Sequence, residues 1–139
     1  MLAIKETCLY VKSAVRSARF FSKVLDLEPV ALVPKRHVFF RVGKGMLLCF
    51  EAKTTRRDKV LPPHGAVGSV HLAFEVPRKG FAAIKRRVAA KTRILHERRW
   101  SPTTRCFYFR DPDGNLIEIL EPGFWERFKP LAKKEYASK

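Results

Sequence analysis

"FYFRDPDGNLIEI", residues 107–119, reads as a β-hairpin: an aromatic strand ending in Arg110, a turn built on Pro112 and Gly114, and an apolar strand returning. Proline presets one turn dihedral and glycine accepts positive φ, which makes "DPDG" a strong turn signal. The returning strand is apolar except for Glu118, which stands between Ile117 and Ile119. A carboxylate in that setting has to be paired, protonated or bound to something.

A second stretch has the same layout. "VFFRVGKGMLLCF" (38–50) is also an aromatic strand ending in Arg, then a glycine turn, then an apolar strand. Arg41 lines up with Arg110 and Gly45 with Gly114, at a common offset of 69 (110 − 41 and 114 − 45). Upstream, "ETCLYV" (6–11) and "HLAFEV" (71–76) are short alternating strands, each leading into a helix-like segment. In the first segment Ser13 is a natural N-cap, with Ala14, Ala18, Phe21 and Leu25 on one face; in the second, Phe81, Ile84 and Val88 share a face. The repeat predicts an α+β fold of two tandem βαβββ modules, residues 2–52 and 69–122, forming curved mixed sheets around a cleft. Residues 53–68, with their Pro-Pro and glycines, read as a linker. Residues 123–139 read as an amphipathic appendage in which Phe124, Trp125, Phe128 and Leu131 serve packing.

Composition narrows the class. The 139 residues suffice for one domain with a real core, and no apolar run is long enough to span a bilayer. Lys5 and Glu6 interrupt the first apolar stretch, so no signal peptide is expected. Three separated cysteines (Cys8, Cys49, Cys106) suit neither a zinc knuckle nor a disulfide framework and fit a reducing cytoplasm. Lys+Arg exceed Asp+Glu by 29 − 13 = +16. That excess favours an anionic small molecule; nucleic acid is the weaker expectation, because the basic residues are spread out rather than interleaved with aromatics.

Strand alternation sorts the side chains. It turns Leu9, Val11, Leu48, Phe50, Leu72, Phe74, Val76, Ile117 and Ile119 toward the helices. The other face then carries Glu6, Cys8, Tyr10, Cys49, His71, Ala73, Glu75 and Glu118, too polar for a second core and therefore the wall of a cleft. Cys8 is read there as a small filler. The repeat superposes Glu6 on His71 and Cys49 on Glu118, four residues of metal-ligand type at equivalent positions.

"YFRDPDGNLIEI", "VHLAFEV" and "ARFFSKVLDLEPV" together resemble the vicinal oxygen chelate superfamily, the glyoxalase/bleomycin-resistance/dioxygenase family, over nearly all of residues 2–122. The resemblance implies a cleft, commonly in a homodimer, and metal ligands drawn from the first and last strands of the modules. It places Glu6, His71 and Glu118 as ligands of one divalent ion (Mn, Ni, Zn, Mg or Fe), with Cys49 as a fourth. Many metal-dependent relatives carry His or Gln where this chain has Glu6. The implied activity is that of a lyase, isomerase or oxidoreductase in which the metal polarises an oxygen-bearing small substrate; the alternative is a metal-free small-molecule binding protein of the bleomycin-resistance type. Glu118 and Tyr10 are the candidate acid–base groups, and Arg98, Trp100, Arg105 and Glu75 the candidate substrate contacts.

Overall fold

Both halves fold as strand, helix and three-stranded meander in the computed structural model, which describes residues 1–135. The last four residues of the predicted appendage lie outside the described residues. The first half is β1 (Glu6–Tyr10), α1 (Ala14–Leu25), β2 (Pro29–Val33), β3 (His37–Val42) and β4 (Gly45–Phe50), and a short α2 (Ala52–Thr55) opens the linker. The second half is β5 (His71–Glu75), α3 (Arg78–Ala89), β6 (His96–Ser101), β7 (Thr104–Arg110) and β8 (Leu116–Leu120). The strand orders β1-β4-β3-β2 and β5-β8-β7-β6 are the same, with one parallel pair (β1/β4, β5/β8) and two antiparallel pairs in each sheet. Gly114 closes the β7–β8 turn at φ +83, as a "DPDG" turn requires.

α1 begins where Ser13 Oγ accepts the backbone N–H of Arg16 at 3.2 Å, and ends on Asp26 in the left-handed region, φ 60. Its buried stripe includes Ala14, Ala18, Phe21 and Leu25, and α3 buries Phe81 and Val88. These meet the inward faces of both sheets in one contiguous core, where Phe21, Phe40, Phe107 and Phe109 are fully buried. α1 also packs against α3. Arg87 of α3 donates to Asp26 Oδ1 at 3.0 Å and to the Lys23 carbonyl at 3.1 Å, placing a cation on the carbonyl end of α1.

The "DPDGN" turn is itself a joint between the halves. Asp111 Oδ1 accepts from the backbone of Asp113 and Asn115, and Asn115 Oδ1 accepts from Val70 N just before β5. Asp113 Oδ1 reaches the first half, accepting from Lys12 N and from Arg16 Nη2, both at 3.0 Å. By contrast, among the described residues no ladder joins the two sheets: β1 and β5 are both edge strands, separated by a cavity of about 160 Å³ lined by Glu6, Thr7, Met46, Leu72, Ala73 and Phe74. No helix among the described residues is long and apolar enough to cross a membrane.

Candidate functional site

Register fixes which residues share the outer, concave face of each sheet. In the second sheet His71 pairs with Leu116, Ala73 with Glu118, Tyr108 with Glu118, and Cys106 with Leu120. Glu118 is buried on this face while its neighbours Ile117 and Ile119 enter the core.

Glu118 is held on both oxygens. Tyr108 donates its hydroxyl to Oε1 at 3.0 Å, and Oε2 lies 3.3 Å from His71 Nε2. The thiol of Cys106 in turn donates to the Tyr108 oxygen at 3.7 Å. Burial above all, then the hydrogen bonds with Cys106 and Glu118, push the Tyr108 phenol well above its ordinary range, so it remains a protonated donor.

His71 Nδ1 lies 3.0 Å from the Leu116 carbonyl oxygen, which can only accept, so Nδ1 carries the proton. Nε2 faces a carboxylate oxygen, as a lone pair in the neutral ring or as an N–H in the imidazolium. Two electron-rich atoms at 3.3 Å require a positive charge between them, either a second imidazole proton or a cation. The spacing accommodates either, a hydrogen-bonded ion pair or two adjacent ligands of one ion. His96 and Trp100 complete the rim, His96 with its ring centroid 6.2 Å from that of Tyr108 and Trp100 beneath the guanidinium of Arg98, 4.2 Å away.

The first sheet places other chemistry at the equivalent positions. Leu48 occupies the place of Glu118 and Phe39 that of Tyr108, because Leu48 pairs with Cys8 and Phe39 as Glu118 pairs with Ala73 and Tyr108. Phe39 stacks on His37 with centroids 4.1 Å apart, and Phe50 meets Phe39 and His64 edge-on. The linker histidine reaches this face: His64 Nδ1 and Tyr10 Oη are 2.8 Å apart.

Several sequence expectations change accordingly. Cys49 is not on the cleft face; it is fully buried in the core beside Leu9, and burial drives its thiol up to about 12. Leu48 and Phe50 take the opposite face from the one expected, since the second hairpin turn is one residue longer than the first. Cys8 is exposed rather than a filler. Arg105 points to the helix side, where it donates to Glu121 at 2.6 and 3.1 Å and lies 4.5 Å over the Phe81 ring. Among the described residues no three His, Cys, Asp or Glu side chains converge closely enough within one chain to hold a metal. His71 and Glu118 meet, while Glu6, exposed on an edge strand of the other sheet, stands outside the pair. Tyr10 and Glu75 lie on the cleft faces, Tyr10 engaged by His64. Tyr108, Cys106 and His96 were not expected; counting back from Glu118 across the turn would have found Tyr108 directly opposite it.

The three thiols give a direct check on these faces. One cysteine, Cys8, is expected to react with an aromatic disulfide reagent in the native protein, and increasingly so at alkaline pH, because burial and the nearby Glu6 raise its pKa. Cys49 and Cys106 should react only on unfolding. A second fast thiol mapped to Cys49 would mean that the first hairpin has the other register.

The paired modules and the position of the polar cluster define a member of a known superfamily. The family profile of the Glyoxalase/Bleomycin resistance protein/Dioxygenase superfamily matches residues 3–119, and the chain belongs to it. Among solved structures, a lactoylglutathione lyase from Agrobacterium tumefaciens is 34% identical with a TM-score of 0.81, over 88% of this chain and 96% of that one. A glyoxalase/bleomycin resistance protein/dioxygenase from Nocardioides is 20% identical (TM-score 0.69, covering 95% and 89%). The fosfomycin resistance protein FosX of Listeria monocytogenes is 18% identical (TM-score 0.66, covering 92% and 99%). At those identities the last two speak to the fold alone. No curated protein matches the chain.

Proposed function

We propose that this chain is a divalent-metal-dependent enzyme acting on an oxygen-bearing, anionic small molecule, as a lyase or isomerase, with His71 and Glu118 as metal ligands. The observation that carries this is His71 Nε2 set 3.3 Å from Glu118 Oε2, with the other ring nitrogen anchored on the Leu116 carbonyl. A bound divalent ion would act there as a Lewis acid on a substrate oxygen. The chain's own residues do the rest. Leu116 fixes the imidazole tautomer, and Tyr108 holds the carboxylate so that its second oxygen stays aimed at His71. Arg98, stacked on Trp100, supplies positive charge for an anionic substrate; Tyr10 stands on the cleft face as a proton-transfer group and Glu75 as a substrate contact. One chain does not bring Glu6 to the pair, so Glu6 becomes the third ligand only when a second copy supplies it, which makes the homodimer part of this reading. The likeness to a protein described as a lactoylglutathione lyase, at 34% identity, favours carbonyl chemistry among the superfamily's reactions.

The test is elemental analysis after loading with Mn²⁺, Ni²⁺ or Zn²⁺, together with turnover of a panel of 2-oxoaldehyde hemithioacetals. About one ion per chain and turnover abolished by chelator are expected. Turnover indifferent to chelator would remove the Lewis-acid role. Tyr108→Phe, which frees one carboxylate oxygen, is expected to weaken metal affinity about 10–100-fold.

A second reading rests on the same 3.3 Å contact taken as an imidazolium–carboxylate ion pair in a metal-free binding protein. It predicts that the Nε2 proton of His71 is visible by NMR and unaffected by added metal.

A further inference from the structure

At the β6 edge of the second sheet, toward α3, helix and strand line an open groove of about 510 Å³. α3 contributes Ala82, Ala89, Lys85 and Arg86, and the sheet contributes Arg99 and Arg105. Arg99 and Arg105 are register partners, and both share the helix-side face with Phe107, which meets Phe81 of α3. Arg98 and Cys106 border both this groove and the cleft face, while His71, Glu118 and Tyr108 lie outside its lining.

Its charges divide into two kinds. Lys85 is neutralised by Glu97 at 2.7 Å, and Arg105 by Glu121 while lying flat on Phe81. These two pairs build the walls. Arg86 and Arg99 have no acidic partner among the described residues; Arg99 donates through Nη1 only to the Pro102 carbonyl, at 2.8 Å, leaving the rest of its fork open. Two guanidinium groups without an acidic partner among the described residues, one from α3 and one from β6, border the same groove beside alanine methyls and an arginine–phenylalanine stack. Guanidinium forks match phosphate oxygens in geometry as well as charge. The surroundings add long-range attraction: residues 78–99 hold nine Lys/Arg (Arg78, Lys79, Lys85, Arg86, Arg87, Lys91, Arg93, Arg98, Arg99) against one acid, Glu97, or 9 − 1 = +8 of the chain's +16.

We infer that the α3–β6 groove is a binding site for a small organic phosphate, outside the His71–Glu118 pair, with Arg86 and Arg99 gripping the phosphate and Ala82, Ala89 and the Arg105–Phe81 stack receiving its apolar or planar part. A groove of this volume has room for one mononucleotide-sized molecule.

The probe is ADP, titrated calorimetrically into the full chain at about 150 mM salt, where charges beyond ~8 Å are screened. One ADP per chain is expected. Arg86→Gln/Arg99→Gln should weaken binding at least about tenfold, whereas Lys91→Gln/Arg93→Gln, which removes the same charge just outside the lining, should change it by no more than about twofold. Unchanged thermal melts of both double variants secure the comparison. The inference is overturned by no ADP binding at that salt, by equal weakening in the two double variants, or by binding that survives Arg86→Gln/Arg99→Gln. An oligonucleotide that binds more tightly than ADP and is weakened equally by both variants would likewise overturn it, in favour of diffuse polyanion attraction. Because the readout needs neither metal nor turnover, it is independent of the fate of the His71–Glu118 reading.

Discussion

In Glu118→Gln, bound divalent metal is expected to fall from about one ion per chain to background. The amide keeps the shape of the carboxylate and can still accept from Tyr108, but it lacks the charge that binds a cation beside a neutral imidazole. His71→Ala removes the other donor and should have the same consequence. Both measurements are by elemental analysis after reconstitution and gel filtration. The circular dichroism spectra should match that of the parent protein, because Glu118 faces the cleft rather than the core. Stoichiometric metal in Glu118→Gln would move the metal site away from the concave face of the second sheet. The contrast with Tyr108→Phe matters: removing a residue that holds a ligand weakens binding, and removing the ligand ends it.

The second large effect is on stability. Phe107→Ala should cost about 3–5 kcal/mol, the usual range for deleting a buried phenyl group and leaving a cavity. Phe107 is fully buried, meets Phe81 of α3 edge-on at 5.5 Å and lies 6.2 Å from Phe109, which contacts Phe20 of α1 at 6.4 Å. It therefore belongs to the ring chain that ties α3, the second sheet and α1 into one core. Against a typical total of ~5–15 kcal/mol, the loss is a large fraction. Urea denaturation should show a lower midpoint with an unchanged slope. A loss under about 1 kcal/mol would mean that the core does not run through both halves as described.

The fold was readable because the chain states it twice. The strand–helix pattern after "ETCLYV" and "HLAFEV", the Ser13 cap and the two glycine turns each have a local physical cause, and tertiary packing did not override them. Which faces the candidate residues occupy was readable only in part. His71 and Glu118 follow from alternation. Cys49 does not, because matching Gly45 to Gly114 sets the wrong offset for the returning strand. Arg110 is six residues before Leu116, whereas Arg41 is five before Met46, and these are the cross-strand partners that set the register. The strand offset is therefore 118 − 48 = 70 rather than 69, and one residue of slip exchanges the two faces of a strand. Glu121, another buried carboxylate, is accounted for by Arg105, whose guanidinium holds it below the ordinary carboxylate range. That pairing takes Arg105 away from the cleft, and sequence spacing gives no sign of it. The partition of concave-face chemistry, with aromatic rings on the first sheet and the His–Glu–Tyr cluster on the second, depends on contacts between distant strands and is beyond reach of local patterns.

The gap between the two edge strands has a mechanical meaning. Strands that share hydrogen bonds resist sliding, since each step breaks several bonds at once; plates that touch through side chains alone can shear by small amounts at little cost. Glu6 and His71 open the two strands that border this seam, and among the described residues no backbone hydrogen bond between those strands fixes their separation.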